Sequence, residues 1–230
     1  LYFTPVNKSA NSVTMRLNTN GYGYLDFIYA LNPDSYMLNL TIKANGMANF
    51  FSTNLSNLSI DWIQNLRQQE KGFEFEQRYT TLTYKRSDKR KGKYITVTKS
   101  TRSEEIEEPL DWIAFKNQFF SCVLISGSEF EANSKLTASP YAKGKGYMKK
   151  MMAKTKTQFD PTGQEPTILQ FYFGPNDYKI LRETNHLAAG DKKIRLHNVM
   201  DLGWPIVREF NRFLIIPLFN LLSNWGLSMG

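Results

Sequence analysis

Cysteine occurs once in this chain, as Cys122, and histidine only twice, as His186 and His197. A single cysteine excludes an intramolecular disulfide framework and a cysteine-based zinc site. Both histidines fall late, outside the stretches that read as strands, and no Ser/His/Asp arrangement or metal spacing accompanies them. No glycine-rich phosphate loop is present either. Long apolar runs are also missing. The run Phe213 to Leu222 has roughly half of the ~20 residues that a membrane-spanning helix needs.

What is present favours a large β domain. The 230 residues are 41% hydrophobic and 14% aromatic, enough for a sizeable core, which excludes a wholly disordered chain. Phe and Tyr are plentiful and Asn and Thr frequent, a composition that tilts towards β structure. The formal net charge is +8, concentrated in Lys85–Lys93 and in Lys143–Lys156, which carries six lysines. Both clusters contain Gly or Ser and read as solvated loops. The first has no aromatic residues interleaved at stacking intervals, so no nucleic-acid partner is expected. Cys122, within the apolar run Phe119 to Ile125, reads as a small core residue. The four Asn-x-Ser/Thr matches, at Asn7, Asn39, Asn54 and Asn57, carry no weight in so Asn-rich a chain.

Strand signals run through most of the sequence. Tyr22–Leu31 ends at the turn Asn32-Pro33-Asp34, and residues 35–43 then alternate strictly, predicting a hairpin. Val13–Leu17, Leu58–Gln64, Phe73–Tyr84, Tyr94–Lys99, Cys122–Ser126 and Thr167–Phe173 read as further strands. Residues 101–109, with Glu104, Glu105, Glu107 and Glu108, read as an acidic loop, and 129–157 as strand-like but loop-rich. Asp111 is placed to cap a short helix over 111–120, with Trp112, Phe115 and Phe119 on one face. Asp177 is placed to cap a helix over 178–187.

The last residues, 203–230, differ in kind. Ile206, Phe210, Phe213, Leu214, Pro217, Leu218 and Leu221 follow the i, i+3, i+4, i+7 rhythm of one helical face, and Arg208 and Arg212 fall opposite. Pro217 cannot sit in a helix interior but can open one, predicting two short helices meeting near Ile216. With Trp204 and Trp225 at its ends, the segment suits a membrane–water interface, where Leu222 adds to the apolar face. A helical pair packed on its own domain is the plainer reading. The organisation expected is a β domain over 1–202 and an amphipathic helical junction over 203–230.

Three segments resemble one family. Trp112-Ile113-Ala114 with Gln118-Phe119-Phe120, then Phe173-Gly174-Pro175, then Gly203-Trp204 and Asn224-Trp225-Gly226 are similar, in order and spacing, to the periplasmic domain of YidC-type membrane protein insertases. The resemblance implies a large antiparallel β-sandwich, a mutarotase-like supersandwich, with short C-terminal amphipathic helices leading to a transmembrane helix. It implies a location in the periplasm at the cell inner membrane. The partners implied are the membrane surface, the Sec translocon and nascent membrane proteins, with no cofactor and no metal. The residues it would use are Trp204, Arg208, Phe210, Arg212, Phe213, Leu214, Leu218, Leu222 and Trp225. Trp112, Phe119, Phe120, Gly174, Pro175 and Gly203 would be structural.

A second reading stays open, a secreted β-sandwich that binds or converts carbohydrate. Catalysis of that kind needs a histidine pair and a carboxylate aimed at a sugar ring. His186 and His197 do not lie on strands lining a cleft, so an enzyme is not expected.

Overall fold

The alternation after Asn32-Pro33-Asp34 is a strand hairpin in the computed structural model, with Asp34 at φ 53° in its turn. Residues 2–21, 23–51, 54–190, 192–201 and 211–224 are described. The chain divides into two compact units, residues 1–199 and 200–230.

Among the described residues, unit one contains thirteen strands. They are β1 (Thr4–Lys8), β2 (Ser12–Asn18), β3 (Tyr24–Leu31), β4 (Met37–Asn45), β5 (Asn57–Arg67), β6 (Thr81–Arg86) and β7 (Lys93–Ile95), with helix α1 (Phe73–Tyr79) before β6. There follow β8 (Arg102–Ile106), β9 (Leu110–Lys116), β10 (Phe120–Phe130), β11 (Ser134–Pro140), β12 (Tyr147–Gln158), β13 (Thr167–Pro175) and helix α2 (Tyr178–Glu183). Every pairing is antiparallel. The longer layer runs β1-β2-β3-β4-β13-β10-β9-β6-β7 and the shorter β5-β12-β11-β8, joined through the single pair Phe130–Thr157. This is the expected mainly β sandwich.

The core lies between the layers. Ile42, Leu82, Ile113, Phe115, Leu124 and Leu169 of the long layer meet Leu136, Met151 and Ala153 of the short one. Trp62 of β5 stacks on Phe115 of β9 with ring centroids 3.9 Å apart. Each such side chain, once buried, contributes roughly 1.5–3 kcal/mol. The opposite face of the long layer is covered as well. Trp112, Val123, Ile125 and Tyr172 are buried there, and the segment 178–199 contributes the buried Tyr178, Leu181, Ile194, Leu196 and Val199.

That double coverage corrects the helix expected over 111–120. Residues 110–116 form β9, every one of them buried. A strand covered on both faces loses its polar alternation, as in the run Trp112 to Phe115, so its spacing fits a helical face as readily as a strand. Trp112 and Phe115 therefore point to opposite faces, and Phe119 sits in the exposed β9–β10 turn.

The other differences have similar causes. Residues 73–84 are α1 followed by β6 rather than one strand. Buried Glu76, within α1, accepts from the backbone N–H groups of Gln69 and Glu70 and ties the helix to the chain before it. Buried Lys149 of β12 donates to the carbonyls of Gln77 and Thr80, so the C-terminal end is held by a side chain distant in sequence. The acidic stretch 101–109 contains β8, its charges paired as Arg102–Glu104, Lys135–Glu105 and Arg86–Glu108. Lys85, expected in a solvated loop, is 3% exposed in β6 and bonded to Asp111. The loop-rich stretch 129–157 is largely β11 and β12, so Lys143–Lys156 is mostly strand. Tyr94–Lys99 shortens to β7. Cys122 is half-buried, where burial pushes its thiol pKa up.

In unit two, a π-helical turn (Asn211–Ile215) runs directly into helix α3 (Ile216–Asn224). The expected junction near Ile216 is thus a change of helix type. Pro217 lies in the first turn of α3, with the wider turn just before it.

Candidate interaction surfaces

The motif residues build a structural clasp in unit one. Gly174 and Pro175 end β13 opposite Ser121 and Phe120 of β10, so two of the resembling segments meet. A Cβ on Gly174 would lie 2.6 Å from the ring of Tyr172 and 2.8 Å from that of Tyr36, which leaves room only for glycine. Asn176 closes the clasp: its amide nitrogen donates to the carbonyls of Asn117 (2.9 Å) and Gln118 (3.1 Å), and its backbone N–H to that of Phe119 (2.6 Å). Asp177 caps α2 as expected, accepting from Ile180 N–H at 2.9 Å. Trp112 is fully buried and its Nε1 donates to the Ile194 carbonyl. Phe119 and Phe120 are 45% and 57% exposed, so they are not core residues.

A cavity of about 710 Å³ opens beside Pro109, Ser128, Glu129, Glu131, Gln158 and Lys192. Lys192 reaches Glu129 at 3.6 Å and Asp111 at 3.7 Å. No histidine lines it. His186 and His197 lie in the 3-10 turns Thr184–Leu187 and Leu196–Val199, and the ring of His197 packs edge-on against Tyr178. The histidine pair that sugar chemistry requires is not assembled at this cavity. Among the described residues no group of His, Cys, Asp or Glu is arranged to hold a metal ion.

Unit two carries the other candidate surface. Phe213, Leu214, Leu218 and Leu221 are exposed, and Leu222 is half-buried. Leu214, Leu218 and Leu221 follow i, i+4, i+7 spacing and so form one apolar stripe. Among the described residues no helix is long and apolar enough to cross a membrane. Gly203, Trp204, Arg208, Phe210 and Trp225 lie outside the described residues, as does the side chain of Arg212.

Fold and surface define a large β-sandwich domain and, later in the chain, a short apolar-faced helix. The family model for the YidC periplasmic domain matches residues 2–221, and the chain belongs to that family. It is 52% identical over 230 residues to the membrane protein insertase YidC of Phocaeicola vulgatus, covering all of this chain and 37% of that protein. The same-named protein of Bacteroides fragilis strain YCH46 is 43% identical over 231 residues, and that of Parabacteroides distasonis is 39% identical over 227. This chain thus spans just over a third of the length of these curated relatives. A solved structure of a candidate aldose 1-epimerase from Escherichia coli K12 overlaps with a TM-score of 0.41 at 7% identity, covering 75% of this chain and 68% of that one, too low to carry an argument.

Proposed function

We propose that this chain is the periplasmic, non-catalytic part of an inner-membrane protein insertase, acting in the insertion and folding of membrane proteins. The observation that carries the reading is the family match over residues 2–221 together with the exposed stripe Leu214, Leu218 and Leu221. A helix of this kind lies in the headgroup region with its apolar side buried about 5–10 Å into the boundary with the acyl chains. Phe210, Arg208, Arg212, Trp204 and Trp225 belong to the same interfacial segment, the arginines meeting lipid phosphates and the indoles marking the headgroup level. Nascent membrane proteins and the Sec translocon are the partners. This reading assigns no catalysis to the chain.

The test uses the whole insertase reconstituted in proteoliposomes, comparing it with a Leu214→Asp/Leu218→Asp variant and with a version lacking residues 1–199. The expected result is reduced insertion of a reporter membrane protein by the helix variant. Undiminished insertion by both would sink the proposal.

A further inference from the structure

Four of the six lysines of 143–156 stand on β12, a strand that turns one face to solvent. In β12, Met151, Ala153, Thr155 and Thr157 are buried and point inward, so Lys150, Met152, Lys154 and Lys156 point out. Neighbouring β5 presents Ile63 opposite Met152, Asn65 opposite Lys150 and Asp61 opposite Lys154. Ile63 is 51% exposed at the middle of this face. A register shift between Tyr147 and Lys149 brings Tyr147 opposite outward-facing Arg67. The Tyr147 ring lies 5.7 Å from that of Tyr141, whose hydroxyl donates to Asn65 Oδ1 at 2.9 Å.

The charge arrangement is internally unfavourable. Lys154 stands directly opposite Lys135 of β11, and like charges in that position destabilise a sheet. Their acidic neighbours, Asp61 at 3.8 Å and Glu105 at 3.7 Å, are well exposed and offset little. Folding gains little from that facing pair, whereas an anionic surface laid against it would relieve the repulsion.

We propose that the outer face of β5-β12-β11-β8 is a second membrane-contact surface, one that takes anionic lipid headgroups. The inference rests on the reading that the domain works at a membrane. Lysines set on long stems at two-residue intervals along a sheet, without a pocket, suit a diffuse field of phosphates better than one bound molecule. Tyr141, Tyr147 and Ile63 supply the amphipathic and apolar groups that settle at the headgroup level. An acidic protein partner would leave Ile63 and the tyrosine pair without a role.

The test is binding of the 230-residue chain to phosphatidylcholine vesicles with and without phosphatidylglycerol. Wild type should bind the anionic vesicles more tightly, and added salt should weaken that preference. Lys150→Glu/Lys154→Glu/Lys156→Glu should weaken anionic-vesicle binding on the order of a hundredfold. Its binding to neutral vesicles should not change. Leu214→Asp/Leu218→Asp should instead lower binding to both vesicle types, so failure of the helix reading shows separately. A Lys→Gln version of the triple variant, with an unchanged melting temperature, guards against misfolding and should lose the preference in the same direction. Undiminished preference in both triple variants, or no preference in wild type, overturns the proposal.

Discussion

The indole Nε1 of Trp112 donates to the backbone carbonyl of Ile194 across 2.7 Å, with Trp112 fully buried and Ile194 1% exposed. This bond fastens the segment 192–199 onto the outer face of the long layer. Two further ties act beside it: the Tyr94 hydroxyl donates to the Asn198 carbonyl at 2.6 Å, and Asn198 Nδ2 to the Arg90 carbonyl at 2.8 Å. The interior strand β9, paired with β10 and β6, therefore organises both faces of the sheet. Phe115 faces the core, and Trp112 holds the closing segment.

Trp112→Phe keeps an aromatic ring but leaves the Ile194 carbonyl buried without its donor. The expected loss is about 1–3 kcal/mol. Hydrogen exchange should show lost protection over 192–199 before any loss in β4 or β13. Uniform loss across the domain would mean that the segment is not a separately held element.

The sequence made the sandwich legible because most strands have one wet face. Residues 37–45 alternate and so announce themselves, whereas β9, buried on both sides, carries no period of two. Local pattern also hid α1, whose C-terminal carbonyls are satisfied by Lys149, a residue 69 positions from Thr80. In the lysine-rich stretch, composition suggested a loop where alternation was the better guide: Lys149 points in, and its neighbours at 150, 154 and 156 point out. Spacing alone anticipated a helical segment ending in Ile216–Asn224 and a break near Ile216. The clasp of Gly174 and Asn176 on the β9–β10 turn was visible only as two separate motifs, because the contact joining them is long-range.

Lys85 and Asp111 form a buried pair on β6 and β9, their side chains 4% and 9% exposed. Removing one partner strands a charge inside the domain. Asp111→Ala should therefore cost about 3–5 kcal/mol. The double variant Lys85→Met/Asp111→Leu should cost much less, because the buried Lys85 charge goes with its partner and the part-exposed Lys192 keeps Glu129. Urea denaturation of both variants decides the matter. Equal losses would show that the site depends on shape rather than on charge pairing.

Gly174→Ala forces a methyl group against the rings of Tyr36 and Tyr172, which themselves meet edge-on at 6.1 Å. Overpacking of this kind costs about 1–3 kcal/mol. Tyr36→Ala, which removes one of the two obstructing rings, should restore part of the loss when combined with it. Thermal melts of the single and double variants test the coupling, and strictly additive losses would refute it.

The buried Lys149 gives the domain a pH signature with a definite sign. Burial, reinforced by the charge of Lys116, lowers its pKa to about 8. In the unfolded chain a lysine titrates near 10.4. Between those values the unfolded state binds more protons than the native one, so stability rises as pH increases from about 8. The raised Cys122 thiol acts in the opposite sense from about pH 9, and Tyr84 and Tyr172 do so at higher pH. Burial pushes Tyr84 up to about 12 and raises Tyr172 as well, so both stay protonated in the native state above pH 10 while the unfolded chain releases those protons. Stability should therefore climb on the order of 2 kcal/mol from pH 8 and turn over near pH 10. In Lys149→Met the climb should vanish while the fall above pH 10 persists. Urea midpoints measured at closely spaced pH values distinguish these outcomes, and a variant that keeps the climb would assign it to another group.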